Sequence, residues 1–166
     1  MKKSVFILMV FFICIQSVLS TVKYKIIDSA ETELIPLISN DIILSKIKAG
    51  AKVVFVDARE PEEFAEDHLP GALNMTLRQV NREVASKLRS ADLIVTYCLK
   101  DFRGFELGRA LKNQGLTNVR LMKAHGIYGW KKQELPITSR DGMTDVESVA
   151  LLRRCANDMN DCGTSI

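Results

Sequence analysis

The sequence predicts an α/β fold, an open and mostly parallel sheet flanked by helices, with a short helical tail at the C-terminus. Three observations carry this prediction. Val53-Val54-Phe55-Val56 and Leu93-Ile94-Val95-Thr96-Tyr97 are short apolar runs without alternation, rich in β-branched residues, as strands covered on both faces are. Helix-like segments follow each of them, which is the order that builds a parallel sheet. Turn residues punctuate the series, Gly50 before the first run and Pro70-Gly71 before a brief further strand candidate.

In chain order, Asn40 or Asp41 is placed to cap a helix through Lys48, with Gly50 ending it before the first buried strand. Pro61 suits a first helical position, and Glu62 and Glu63 follow where the helix dipole favours acids. Ala72-Leu73-Asn74 is a brief strand candidate after the Pro70-Gly71 turn. Val80, Val84 and Leu88 recur at helical spacing and predict a helix over 79–89. After the strand ending at Tyr97, residues 102–114 read as a helix stopped by Gly115. Val119 to Met122 is the last strand, 128–133 a short helix, and 146–154 an amphipathic helix beyond the exit at Pro136.

The N-terminus has the layout of a secretory signal peptide: Lys2-Lys3, an apolar stretch from Val5 to Leu19, then Val18-Leu19-Ser20 before Thr21. The stretch is shorter than the roughly 20 residues that span a bilayer, which favours cleavage over anchoring. The expected organisation is a signal peptide over 1–20, an extension over 21–37, one domain over 38–138, and a polar tail over 139–166. Cleavage leaves 146 of the 166 residues and takes the net charge from +3 to about +1 through loss of Lys2 and Lys3. Such a balance gives no reason to expect nucleic acid as a partner or stable membrane association after cleavage. The expected location is outside the cytoplasm, the periplasm if the source is a double-membraned bacterium and secreted otherwise. Cys14 leaves with the signal, so Cys98, Cys155 and Cys162 remain. Cys155 and Cys162 lie close together and are able to close a small disulfide loop, which leaves Cys98 as the odd thiol.

Cys98 ends a predicted strand and precedes a predicted helix, at the sheet end where ligands gather in open α/β folds. A helix N-terminus there presents backbone N–H groups and lowers a thiol's pKa, and the thiolate is the reactive form. Arg103 adds a fixed positive charge and Lys100 a second one. The alternative is an ordinary buried strand-end cysteine.

Val56-Asp57-Ala58-Arg59, Pro61-Glu62-Glu63-Phe64 and His68-Leu69-Pro70-Gly71-Ala72-Leu73-Asn74 together resemble the opening signature of the rhodanese family. Tyr97-Cys98-Leu99-Lys100-Asp101-Phe102-Arg103 is similar to its active-site loop, and Gly126-Ile127-Tyr128-Gly129-Trp130 with Leu135-Pro136-Ile137 to its closing signature. The resemblance implies a rhodanese-like fold and a sulfurtransferase. Cys98 would take a sulfur from a small anionic donor such as thiosulfate as a persulfide and pass it to cyanide, a thiol or a protein acceptor. It implies that the backbone of Leu99, Lys100, Asp101, Phe102 and Arg103 holds the persulfide, that the Arg103 side chain holds donor oxygens, and that Asp57 and Arg59 brace the site. Neither a cofactor nor a metal is expected. Rhodaneses place four residues between cysteine and arginine, as here, whereas the similar dual-specificity phosphatases and arsenate reductases place five.

Three positions depart from the family pattern. Asp101 stands where many relatives have glycine, His125 where a second glycine is usual, and Gly104 where serine or threonine is common. The Asp101 carboxylate either faces Cys98 and opposes its thiolate, weakening sulfur transfer toward a binding or redox module, or faces outward and caps the next helix. Asp also tolerates positive φ, which would let the loop close. His125 is expected to be a strand-end histidine with a backbone partner, or else an acid or base near the loop. His68 is expected to be structural and Trp130 to belong to the core.

Overall fold

Five parallel strands form the centre of the protein, in the order β1-β6-β5-β2-β4. They are β1 Leu37–Ile38, β2 Val53–Asp57, β4 Leu73–Asn74, β5 Leu93–Tyr97 and β6 Val119–Met122. The computed structural model describes residues 35–123 and 125–162. The predicted signal peptide and residues 21–34 of the extension lie outside the described residues.

Among the described residues, six α-helices connect or cover the strands: α1 Asn40–Lys48, α2 Pro61–Glu66, α3 Arg82–Lys87, α4 Phe102–Asn113, α5 Gly126–Lys132 and α6 Asp145–Asn157. A small antiparallel pair, β3 Asp67–His68 with β7 Thr138–Ser139, stands apart from the main sheet.

The absence of alternation in β2 and β5 has a direct structural cause. Successive side chains of a strand point to opposite faces, and both faces here carry a core. Phe55, Leu93, Val95 and Tyr97 join Ile43 and Leu44 of α1, Trp130 of α5 and Leu152 and Cys155 of α6. Val56, Ile94 and Cys98 join Ala85 of α3 and Leu107 and Leu111 of α4 on the other face. The segment beyond residue 138 thus completes one of the two cores, through the buried face of α6.

Local chemistry sets the boundaries. Glu60 and Glu63 form a capping box around Pro61 at the start of α2, and Thr144 with Glu147 does the same for α6. The helix predicted over 79–89 is interrupted. Leu77–Gln79 is a 3-10 turn, Val80 is extended, and the Asn81 side chain accepts the Val84 N–H to start α3 at Arg82. An asparagine that bonds its own downstream backbone favours a fresh N-cap over a continued helix. At α1, Ser39 is the N-cap and makes no side-chain cap bond, so neither Asn40 nor Asp41 serves there.

The order of strands creates the crevice that matters. From β2 the chain moves outward to β4, then returns across β2 to β5 and continues to β6. The connections after β2 and β5 therefore diverge, and the carboxyl ends of these adjacent strands frame a topological switch point, where open α/β sheets bind ligands.

Candidate active site

Cys98 is the first residue after β5, at that switch point, and is only 3% exposed. It is the free cysteine of the described residues. β5 alternation turns Tyr97 toward one core and Cys98 toward the other. The loop from Leu99 to Asp101 then feeds α4, whose first residues are Phe102 and Arg103. Leu99 and Lys100 are exposed, and Phe102 is 75% exposed. Gly104 allows the close approach of α4 to β5: a Cβ there would stand 3.0 Å from the Tyr97 Cα and carbonyl carbon.

Arg103 reaches across the crevice to α2. Its Nη1 and Nη2 donate to Glu63 Oε2 at 2.5 Å and Oε1 at 2.9 Å, a bidentate pair. The Arg103 hydrogen bonds hold the Glu63 carboxyl down at about 2, against the opposing effect of burial. Glu63 in turn raises the Arg103 guanidinium above its ordinary value, and the negative Cys98 thiolate form contributes to the same shift. Glu63 stands in the sequence as a first-turn acid within the opening signature, and no local signal ties it to a residue 40 positions away.

Asp57 and Arg59 are buried together at the end of β2. Arg59 Nε donates to both Asp57 carboxylate oxygens at 3.1 and 3.0 Å, and Nη2 donates to Oδ2 at 2.8 Å. Arg59 also bridges to Asp67, through Nη1 to Oδ1 at 3.2 Å and Nη2 to the backbone oxygen at 2.5 Å. Lys131 of α5 closes the network on Asp67. Burial opposes the Arg59 charge, but the hydrogen bond and charge of Asp57 outweigh it and raise the pKa. The Tyr97 hydroxyl sits beside this group and accepts the Leu69 N–H at 3.2 Å. Burial first, and the Asp57 charge second, push its pKa well above the ordinary tyrosine value. Asp67 and Tyr97 were not among the expected site residues.

Asp101 does not cap the next helix, one of its two expected roles. Its φ is −139°, so the loop closes without a left-handed residue, and its side chain makes no cap bond to α4. The carboxylate instead contacts His125, with Nδ1 to Oδ2 at 3.0 Å. The expected backbone partner of the His125 ring is accordingly replaced by a carboxylate. His68 and Trp130 are structural. His68 stacks on Phe64 at 3.9 Å and Nδ1 lies 2.9 Å from the Phe64 carbonyl oxygen, while Trp130 is fully buried and donates to the Pro136 carbonyl at 2.8 Å.

Cys155 and Cys162 form a disulfide between α6 and the 3-10 turn Met159–Cys162. It belongs to the core on the α1 side of the sheet, whereas Cys98 belongs to the other. The sheet therefore separates the free thiol from the cystine.

The arrangement sets a sheltered thiol and a guanidinium held by Glu63 at one crevice, with the Asp57–Arg59 pair buried at the end of β2. Known proteins resemble this chain. The chain is 25% identical over 105 residues to a sulfurtransferase of Allochromatium vinosum, a match covering 63% of this chain and 96% of that protein. It is 30% identical over 91 residues to a putative sulfur carrier protein of Bacillus subtilis, covering 55% of this chain and only 49% of that one. Among solved structures, a Bacillus halodurans protein superposes with a TM-score of 0.56 at 20% identity, over 70% of this chain and 86% of that one. A rhodanese-like domain from Anabaena does so with a TM-score of 0.55 at 22% identity, over 64% and 80% of the two chains. At these identities the two structures bear on the fold alone. The Rhodanese-like domain model matches residues 40–133, a span that contains β2, the Cys98 loop, Arg103 and α5, and this chain belongs to that family.

Proposed function

We propose that this protein is a sulfurtransferase that moves a sulfane sulfur from a donor such as thiosulfate to a thiophilic acceptor through a persulfide on Cys98. The observation that carries this is the position of Cys98 at the carboxyl end of β5, with four residues between it and an arginine on the first turn of α4. The Cys98 thiolate attacks the outer sulfur of thiosulfate. The new S–S bond forms as the old one breaks, and sulfite leaves with the bonding electron pair. The persulfide then gives its terminal sulfur to cyanide or a thiolate, and the Cys98 thiolate departs with the electrons of the S–S bond.

Arg103 has five N–H donors, of which Glu63 engages two, leaving the rest for donor oxygens. The Asp57–Arg59 network keeps the β2 end rigid under the loop. A second reading, a rhodanese-fold binding module without sulfur transfer, draws on the near-complete burial of the Cys98 thiol. A redox role through Cys98 and the tail cysteines has less to support it, because the sheet lies between them.

Mass spectrometry of the protein after thiosulfate treatment tests the proposal. One added sulfur on the peptide carrying Cys98, removed by cyanide and absent in Cys98→Ala, is expected; an unmodified Cys98 at saturating thiosulfate favours the binding module. We further propose export with cleavage before Thr21, for which N-terminal sequencing of envelope protein is the check. A retained Met1 would oppose it.

A further inference from the structure

We infer that His125 and Asp101 form a clasp that fixes the orientation of the Cys98 loop, which makes His125 a positioning residue for sulfur transfer; this rests on the sulfur-transfer reading of Cys98.

The Cys98 carbonyl oxygen accepts the Ile127 N–H at 3.0 Å, and the Leu99 carbonyl oxygen accepts the Tyr128 N–H at 3.4 Å. The Cys98 and Lys100 carbonyl oxygens also press on Gly126, where a Cβ would fall 2.1 and 2.7 Å from them. Three successive carbonyls of the loop thus turn toward the N-terminus of α5. In a trans peptide the N–H points opposite to the preceding C=O. The amides of Leu99, Lys100 and Asp101 are therefore directed away from α5, to the other side of the loop. These are amides assigned to hold the persulfide anion, so their direction depends on the seat of α5.

His125 is the residue that sets α5 on that seat. Its backbone is left-handed, at φ 68° and ψ 44°, and Gly126 follows at φ 53°. A left-handed conformation at a residue with a Cβ carries a cost and draws attention when it borders a functional loop. The contact that accompanies it is the one to Asp101, at 3.0 Å. Neither side chain caps its helix, so the pair has no capping duty. Asp101 is the last loop residue before α4, and His125 is the last residue before α5. The Ile127 and Tyr128 bonds secure the near end of the loop, and the Asp101–His125 contact secures the far end.

The test uses the full chain with His125→Gly, Asp101→Gly, both together, and His125→Asn. Amide hydrogen exchange over 98–103 is followed beside thiosulfate:cyanide kinetics. Each single glycine variant is expected to raise exchange of the loop amides and lower kcat by about fivefold, the scale of one exposed ion pair, with thiosulfate KM unchanged. The double variant should be no worse than the poorer single one. His125→Asn tolerates left-handed backbone and offers an amide donor to Asp101, so it should recover most of the loss. Unchanged exchange in the single variants, or losses that multiply in the double, overturns the clasp. Raised exchange with kcat intact overturns the positioning role. A wild-type protein that takes no sulfur would defeat the sulfur-transfer reading instead, and the exchange measurements would still decide the clasp.

Discussion

Glu63 Oε2 and Oε1 lie 2.5 and 2.9 Å from the two terminal nitrogens of Arg103, joining α2 to α4 across the crevice at the ends of β2 and β5. The same carboxylate accepts the Glu60 N–H at 3.1 Å and so closes the capping box of α2. One acid thereby starts a helix and orients the arginine of the Cys98 loop. Under the proposed sulfur transfer, an arginine held in place in advance reduces the ordering that donor binding must impose.

This pair has a pH signature. The Glu63 carboxyl is held at about 2 in the folded protein, below the ordinary 4.5. Its stabilisation is therefore complete above the unfolded value and is lost as the pH falls through about 2. Both side chains are more than a third exposed or close to it, 38% for Arg103 and 35% for Glu63, so solvent screening limits the contribution to about 1 kcal/mol. Glu63→Gln should flatten the loss of unfolding free energy between the ordinary carboxylate range and pH 2 by that amount, as read by urea titration. An unchanged acid slope would count against the pair.

The Asp57–Arg59 pair should behave differently, because Asp57 is fully buried and Arg59 is 4% exposed. Asp57→Asn leaves the buried guanidinium only the less buried Asp67 as its anion, and broken buried pairs cost about 3–5 kcal/mol. Arg59→Lys keeps the charge but gives up the fork that engages Asp57 and Asp67 together, so it too should destabilise. Urea unfolding at neutral pH measures both. A loss below about 1 kcal/mol for Asp57→Asn would show that water reaches this network.

What the sequence disclosed follows from how local each cause is. β5 and β6 were legible as Leu93–Tyr97 and Val119–Met122 because two-sided burial writes itself into a continuous apolar run. β1 was not, since Leu37 and Ile38 form a strand only by pairing with Leu121 and Met122, more than 80 residues away. β3 and β7 are likewise defined by their mutual pairing. The break at Val80 was hidden by helical spacing, although Asn81 carried the signal for a new start. At the site, the Cys98-to-Arg103 frame is contiguous and visible in the sequence. Glu63, Asp67 and the Asp101–His125 contact depend on tertiary return of α2, β3 and α5.

The cystine offers a separate check. Cys155 and Cys162 are seven residues apart, and closing so short a loop is worth about 2–3 kcal/mol by the chain-entropy account. Replacing both by Ala should lower stability by that order, and α6 should loosen from the core it shares with α1 and α5. In protein that begins at Thr21, thiol titration of the oxidised form should find one thiol, Cys98, after cyanide treatment. A disulfide between Cys98 and either tail cysteine would contradict their placement on opposite faces.

Two glycines separate the backbone requirement at the site from the contact made there. Gly50 and Gly126 both have positive φ, 81° and 53°. A Cβ at Gly50 would meet nothing within 4 Å, whereas one at Gly126 would fall 2.1 Å from the Cys98 carbonyl oxygen. Gly50→Ala therefore carries only the left-handed cost, about 1–2 kcal/mol, and should leave sulfur loading of Cys98 unchanged. Gly126→Ala carries that cost and also forces the Cys98 carbonyl away from Ile127, because the obstructing atom is backbone and has no rotamer to yield. Its stability loss should exceed that of Gly50→Ala, and persulfide formation at Cys98 should fall by at least tenfold, or about 1.4 kcal/mol in the barrier. Comparing the two variants by urea unfolding and by mass spectrometry after thiosulfate makes Gly50→Ala the internal control. Equal stability losses with equal sulfur loading would mean that the docking of α5 on the Cys98 loop is incidental to the chemistry.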